Sequence, residues 1–452
     1  MERPRLGRIP GRRHGLLQPE PSAIPLVGKT QTRSSVRSWF QAAAATRPRF
    51  ARPRFDRVLP ILCLLAACTA GLGLILTKPF PSAFDELEHV SYAAFLQETG
   101  RLLPHFDVQR TLSRESMAVW DDRANYLGHP SPFYLLESLL LDRTLPPDRA
   151  VLPLRLASGG LVLAGLVAAL WAGHRVFSRD IAALGVFCLA LAFCPKLLAV
   201  SGQVTNDTLG FMGGAFAYAG ATMTGRRNWP ALGAVAGGLI LAMWSKPNAG
   251  LAIGAWLGIA ALLQSSYRRE LLAALAGGVV IGSVPYWLII LDYGKLVPVT
   301  VEQFGQVRQL ADFASYWPAF LLTIGYTWSF SQTGTWPMPD VSSIVASGLF
   351  WVMMGCAAFG GMLARGRGWA PRDAIAIAAP IAFALVLLVH LWFSATKLAH
   401  SLPAASFRYY LPLWPALVHA LAYATGSARL PWQRIGVAAA TLSALAAGWI
   451  IP

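Results

Sequence analysis

The chain has 452 residues, 55% of them hydrophobic and only 13% charged, with a formal net charge of +16. A soluble domain carries about 25% charged residues to keep its surface wet, so this composition excludes an ordinary aqueous enzyme. A mean hydropathy of +0.48, with 41 Gly and 16 Trp, fits a bilayer-embedded helical protein instead.

Residues 1–57 hold twelve Arg and one Lys against Glu2, Glu20 and Asp56, a net +10, which leaves +6 for the rest. This Pro- and Arg-rich stretch, 1–56, reads as a disordered cytoplasmic tail. A basic tail ahead of an apolar run follows the positive-inside rule and suits anionic headgroups better than nucleic acid. A transit peptide or a start codon placed too early would leave the same signature.

A transmembrane helix takes about 20 mostly apolar residues. Such runs fall at 58–77, 151–172, 181–200, 208–224, 230–245, 249–264, 271–291, 343–364, 373–394, 409–425 and 434–451. The expected fold is therefore all-α, a polytopic bundle of about eleven spans occupying 57–452. The segment 316–330 is a further apolar candidate, decided by loop charge. Eleven spans put His174–Arg175–Arg179, Arg226–Arg227, Arg268–Arg269, Arg365–Arg367–Arg372 and Arg429–Arg434 on the cytoplasmic side. A simple span at 316–330 would move the last two clusters outside, so this segment is expected to be re-entrant or interfacial. Two long extracytoplasmic loops result, 78–150 and 292–342, and loops of such length are usually functional. Amphipathic helices are expected in the first, including Phe84 to Glu98. The five cysteines, Cys63, Cys68, Cys188, Cys194 and Cys356, lie in apolar runs without Cys-x-x-Cys spacing, which suggests neither disulfides nor zinc. No internal repeat stands out, which weakens an inverted-repeat transporter.

The polar residues concentrate in a few places. Pro81-Ser-Ala-Phe-Asp-Glu-Leu-Glu-His89 follows the first span, and its Pro and Ser ahead of acidic residues predict a helix start. Asp85 and His89, four apart, share a face. Asp85 and Glu86 point in different directions, leaving one to act on substrate and the other to hold the fold. Such a carboxylate can take a proton from a hydroxyl nucleophile; the plainer alternative is an acidic first turn complementing the helix dipole. In Tyr126-Leu-Gly-His-Pro-Ser-Pro-Phe-Tyr134, His129 is suited to a phosphate, a metal or a leaving group, or to a structural role in the loop. Asp85 and His129 could share a divalent cation, although two residues do not define a site.

Asn206-Asp207 opens another helix, so Asp207 reads either as an N-cap or as a second site carboxylate. The match of Asn206-Asp207-Thr208 to a glycosylation sequon, so near the membrane, is taken as accidental. Lys246, Arg408, Arg155 and Lys196 break the cytoplasmic-positive pattern. Cations within a bundle have partners and mark function by default, and Arg offers a fork for phosphate. Snorkelling to headgroups is the competing account, favoured for Lys196. The aromatic and hydroxyl-rich stretch Tyr326 to Pro339 fits either an interfacial belt or a loop closing over a lipid or sugar.

Taken in order, these motifs resemble the GT-C superfamily, the polytopic glycosyltransferases that use polyprenyl-phosphate sugars, including the mannosyltransferase and aminoarabinose-transferase types. Phe84-Asp85-Glu86-Leu-Glu-His89, with Tyr92 and Thr99-Gly100-Arg-Leu-Leu-Pro104, is similar to that family's acidic motif in the first external loop. Gly128-His129-Pro130-Ser-Pro132-Phe-Tyr134 is similar to its His-Pro-Pro stretch, with Ser131 as a departure. Thr205-Asn206-Asp207 resembles the second acidic site, and Lys246-Pro247 and Phe407-Arg408-Tyr409 resemble later basic motifs. The resemblance spans roughly 57 to 430 and leaves the tail unexplained.

It implies inverting sugar transfer from a polyprenyl-phosphate donor to a glycan, lipid or protein acceptor at the extracytoplasmic face of a cell membrane, here a bacterial inner membrane, in glycan biosynthesis of the cell envelope. Asp85 would be the general base, assisted by Glu86 and Asp207. Lys246, Arg408, His129 and Arg155 would hold the donor phosphate, and His89, Asn206 and Tyr409 would orient the acceptor. A divalent cation, Mg or Mn, stays open as a cofactor, with Asp85, His89 or His129 as its ligands. The implied partners are the lipid-linked donor, the acceptor and membrane lipids, with no nucleic acid. An O-antigen polymerase or ligase, and a non-catalytic glycan or lipid transporter or scaffold, are the rival readings.

Overall fold

The computed structural model describes residues 55–82, 85–105, 108–125, 127–128, 130–224, 228–264, 266–294, 313–329, 341–365, 370–397 and 405–450. The basic tail up to residue 54, Tyr126, His129, and 295–312 and 330–340 of the second long loop lie outside them.

In chain order the helices are α1 (Phe55–Thr77), α2 (Glu86–Thr99), α3 (Phe133–Leu140), α4 (Pro147–Ala150), α5 (Leu152–Phe177), α6 (Ile181–Ala192), α7 (Pro195–Ser201), α8 (Asp207–Met223) and α9 (Trp229–Ser245). They continue with α10 (Pro247–Leu263), α11 (Arg268–Tyr293), α12 (Phe313–Tyr326), α13 (Val341–Arg365) and α14 (Pro371–Lys397). A 3-10 turn, Phe407–Leu413, leads into α15 (Trp414–Ser427), and α16 (Pro431–Ile450) follows. Each of the eleven apolar runs falls on one of these helices or on a broken pair.

The protein is an integral membrane protein. Among the described residues, five helical stretches are long and apolar enough to cross a bilayer, and α6 with α7 makes a sixth if the pair is one bent span. The bend is 41°. Pro195 lacks the N–H that would continue the α6 ladder, so the chain restarts there. At 17 residues each, α9 and α10 are apolar but short. Lys246, in extended conformation between them, ends α9, and Pro247 opens α10. The site lysine therefore sits at a helix break that proline chemistry sets.

Glycine lets the central helices approach closely, as in membrane bundles generally. A Cβ on Gly213 would lie 2.6 Å from the Gly238 carbonyl, so α8 and α9 touch backbone to backbone. At Gly214 a Cβ would overlap the Pro412 carbonyl, which seats the 3-10 turn directly on α8. That contact delivers Arg408 to the N-terminal end of α8.

The first long loop folds around its own core. Leu87, Val90, Tyr92, Leu112, Phe133, Tyr134 and Leu154 pack in one buried cluster. Two short antiparallel strands, β1 (Arg110–Leu112) and β2 (Trp120–Ala124), form a hairpin there, a departure from a purely helical expectation. The amphipathic expectation for Phe84 to Glu98 also fails, because every residue of α2 from Glu86 to Leu96 is buried. Several polar groups of α2 have protein partners instead of water. The Leu112 amide donates to Ser91 Oγ at 2.8 Å, Asn125 Nδ2 donates to the Glu88 carbonyl at 2.8 Å, and Arg123 Nη2 lies 3.1 Å from Glu88 Oε1. On α3 the pattern is reversed: Leu135, Leu136, Leu139 and Leu140 are exposed while Glu137 is buried. Burial raises the Glu137 carboxyl well above the usual carboxylate range, with nearby Glu86 adding to the effect.

Candidate active site

Asp85 immediately precedes α2 but makes no side-chain capping bond. Its Oδ2 instead receives the Arg408 guanidinium, 323 residues away in sequence. Arg408 Nε also lies 3.7 Å from Asp207 Oδ2, and Lys246 Nζ donates to Asp207 Oδ1 at 2.7 Å. Thr205 Oγ1 donates to Asp207 Oδ2 at 3.1 Å. The result is a line of alternating charge, Asp85–Arg408–Asp207–Lys246, drawn from four separate parts of the chain. Asn206 rather than Asp207 occupies the cap position of α8, Asp85 makes no side-chain capping bond, and each aspartate faces a cation. Asp207 and Lys246 are nearly sealed, with side chains 4% and 7% exposed, whereas Arg408 at 22% forms the open edge.

Tyr409 covers this line. Lys246 Nζ lies 5.4 Å from its ring centroid and the Arg408 guanidinium 5.3 Å, both within cation–π range. Asn206 secures the base of the site. Its Nδ2 donates to the Ser245 carbonyl at 2.8 Å and Ser245 Oγ donates to the Asn206 carbonyl at 2.7 Å, pinning α8 to the end of α9 beside Lys246. Asn206 Oδ1 is buried without a hydrogen-bond partner among the described residues.

His89 sits one turn after Asp85, its Nδ1 2.8 Å from Tyr134 Oη. The two rings stack at 5.8 Å, and Tyr134 stacks in turn on Tyr92 at 4.2 Å. This aromatic column fixes the imidazole, while its buried Nε2 has no hydrogen-bond partner among the described residues. Burial, reinforced by the positive charge of Lys246, lowers the His89 pKa to about 3. The ring is neutral at physiological pH, with one nitrogen a donor and the other an acceptor.

Glu86 and Arg155 form a separate unit. Arg155 Nε and Nη2 donate to the two Glu86 oxygens, each at 2.8 Å, and its Nη1 and Nη2 donate to the carbonyls of Lys78 and Pro79 at 2.7 and 3.0 Å. Glu86 further accepts from the backbone amides of Ser82 at 2.7 Å and Val204 at 3.0 Å. With side chains 0% and 3% exposed, the pair ties α1, α2, α5 and the approach to α8 together. Adjacent Asp85 and Glu86 thus face different partners, Asp85 the guanidinium of Arg408, Glu86 the buried Arg155 and backbone amides. Arg155 is engaged on the same side, away from the open edge.

Lys196 departs from the snorkelling expectation. It is 6% exposed, and its charged neighbours include Arg408, Lys78 and Asp207. Lys78, whose Nζ donates to the Ala199 carbonyl at 2.9 Å, also belongs to this neighbourhood, and burial lowers its pKa to about 8. The helix break at Pro195 turns Lys196 inward, and a break is the one sequence feature that could have signalled it. With Lys196 near Arg408, basic side chains outnumber the two aspartates here, an arrangement that favours an anionic ligand.

Among the described residues, no three His, Cys, Asp or Glu side chains come together as a metal-binding set. Asp85 and Asp207 already have cationic partners, so the described donors do not fit a cation site. His129, the third anticipated ligand, lies outside the described residues.

No family model matches the sequence, and no curated protein matches it. Among solved structures, the chain is similar to the crystal structure of ArnT from Cupriavidus metallidurans in the apo state, with a TM-score of 0.48 and 14% identity. The match covers 80% of this chain and spans 59% of that one.

Proposed function

We propose that this protein is an integral membrane glycosyltransferase that moves a sugar from a polyprenyl-phosphate donor to a glycan, lipid or protein hydroxyl. In this reading residues 57–452 form an eleven-span bundle, 1–56 form a cytoplasmic tail, and the site faces the extracytoplasmic side of a bacterial inner membrane. The observation that carries the proposal is the charge line Asp85–Arg408–Asp207–Lys246, converging from distant parts of a bilayer-embedded chain, with Lys196 as a further basic side chain near Arg408. The ordered motifs that resemble the GT-C superfamily support the same reading.

The chemistry follows from the pairing. In the resting site Arg408 masks the Asp85 carboxylate. A donor phosphate competes for that guanidinium, with Lys246 as the second cation. As Arg408 turns to phosphate, Asp85 becomes free to accept the proton of the acceptor hydroxyl. The acceptor oxygen bonds to the anomeric carbon, the bond from that carbon to the phosphate oxygen breaks, and its electron pair leaves on a phosphate that the cations stabilise. Asp207 holds Lys246 and Arg408 in position, His89 Nε2 and Asn206 Oδ1 meet substrate hydroxyls, and Glu86 with Arg155 keeps the loop registered. His129 belongs to the donor side in this reading.

The test is transfer by purified protein in lipid, supplied with a panel of polyprenyl-phosphate sugars. Removing the base is expected to lower kcat about 100-fold or more in Asp85→Asn, with folding retained. Transfer that survives both Asp85→Asn and Asp207→Asn would rule out this site. The topology has its own check: reporter fusions after residues 140 and 320 should both read extracytoplasmic.

A further inference from the structure

The seam between α1 and α5 lies away from the charged site and has no role in the transfer chemistry. Two cavities follow one another along it, of about 270 and 210 Å³. The first is lined by Ile61 and Leu64 of α1 and by Val167 and Trp171 of α5, with Arg57 and His174 at its end. The second continues along the same helix faces, past Cys68, Leu72 and Ile75 on one side and Gly160 and Leu163 on the other. Gly160, Leu163, Val167 and Trp171 form one stripe at helical spacing. Ile61, Val167 and Trp171 are each about half exposed, so the seam is open along its side. Gly160 leaves room in it, because a Cβ there would meet nothing within 4 Å.

The two ends of this seam differ. At the Arg57 end, Asp56 Oδ2 lies 3.5 Å from His174 Nε2. The Arg175 guanidinium lies 5.2 Å from the ring centroid of Trp171, which lines the same cavity as Arg57. An apolar channel with two arginines and an indole at one end matches a single kind of occupant, an anionic headgroup with hydrocarbon chains attached. Asp56 faces His174, which leaves Arg57 and Arg175 to meet an anion.

We propose that the α1–α5 seam binds one anionic glycerophospholipid, with an acyl chain in the two cavities and its phosphate between Arg57 and Arg175. The lipid fills an interhelical gap that protein atoms leave open and staples the first span to the second. The site stands independently of the sugar-transfer reading.

Native mass spectrometry of the full chain, released from detergent with added phosphatidylglycerol or phosphatidylcholine, tests it. The wild type should retain one phosphatidylglycerol and hold it more tightly than phosphatidylcholine. Arg57→Gln should weaken phosphatidylglycerol retention about fivefold, the effect of one basic group near an anionic headgroup, and leave phosphatidylcholine unchanged. Gly160→Phe should abolish retention of both by filling the cavity. Val167→Trp fills the same channel from its open side and serves if Gly160→Phe fails to fold. Equal retention of the two lipids, or phosphatidylglycerol retention that survives both Arg57→Gln and a channel-filling variant, overturns the proposal. Loss of sugar transfer in Asp85→Asn has no bearing on it, so the two readings fail separately.

Discussion

Glu86 and Arg155 offer the sharpest test of how the site is held. Both side chains are sealed from solvent, and each is joined to backbone groups as well as to its partner. Glu86→Gln keeps the shape but leaves a guanidinium buried without its counter-charge. Breaking one member of a buried pair costs about 3–5 kcal/mol, because the remaining charge has lost both water and partner. Replacing both, as in Glu86→Gln with Arg155→Met, removes the stranded charge. The double variant should therefore lose less than the sum of the singles by about 2 kcal/mol or more, the range of directly coupled residues. Unfolding in mixed micelles titrated with a denaturing detergent gives the four corners of the cycle. A donor-phosphate role for Arg155 makes a different forecast, in which Arg155→Met raises the donor KM and spares stability. A coupling under about 1 kcal/mol, the scale of exposed pairs, together with that KM effect, would refute the structural assignment.

Three further outcomes are expected. His89→Gln, which returns an amide nitrogen near the Nε2 position, should retain several-fold more transfer than His89→Asn, which mimics Nδ1; equal activity of the two would remove Nε2 from the site. His89 has a native pKa of about 3 against about 6.5 unfolded, so the unfolded chain binds the extra proton between those values. Its contribution to stability is full above pH 6.5 and falls as pH drops toward 3, by up to about 1.4 kcal/mol per pH unit, and unfolding of His89→Gln followed against pH should lack that component. Gly214→Ala would press a methyl group into the Pro412 carbonyl and push the 3-10 turn off α8, at a cost of about 1–3 kcal/mol. A melt unchanged from wild type would show that the turn does not rest on α8 as described.

Much of this architecture is legible before any coordinates. Apolar runs near 20 residues mark the helices, because a backbone in hydrocarbon must satisfy its hydrogen bonds internally. The same scarcity of charge makes each ionisable residue conspicuous, which is why Asp85, Asp207, Lys246 and Arg408 could be picked out singly. Pro247 likewise falls between two predicted spans, whereas Pro195 breaks a run that reads as one continuous span. Partner choice was not legible. Asp85 finds Arg408 across 323 residues and Glu86 finds Arg155 across 69, and nothing in local spacing distinguishes those pairings from the reverse. Adjacent carboxylates thus acquire different partners through distant contacts. Lys196 misled for a related reason: a lysine near the end of an apolar run has the same sequence signature whether it reaches for headgroups or turns inward, and only the bend at Pro195 decides. The buried faces of α2 follow the same logic, since a helix with Glu, His and Ser around it reads as water-facing until the hairpin and α3 enclose it. Local chemistry determined which segments are helical and where charge is scarce, whereas burial and long-range pairing, which depend on the packed chain as a whole, decided what each charge does.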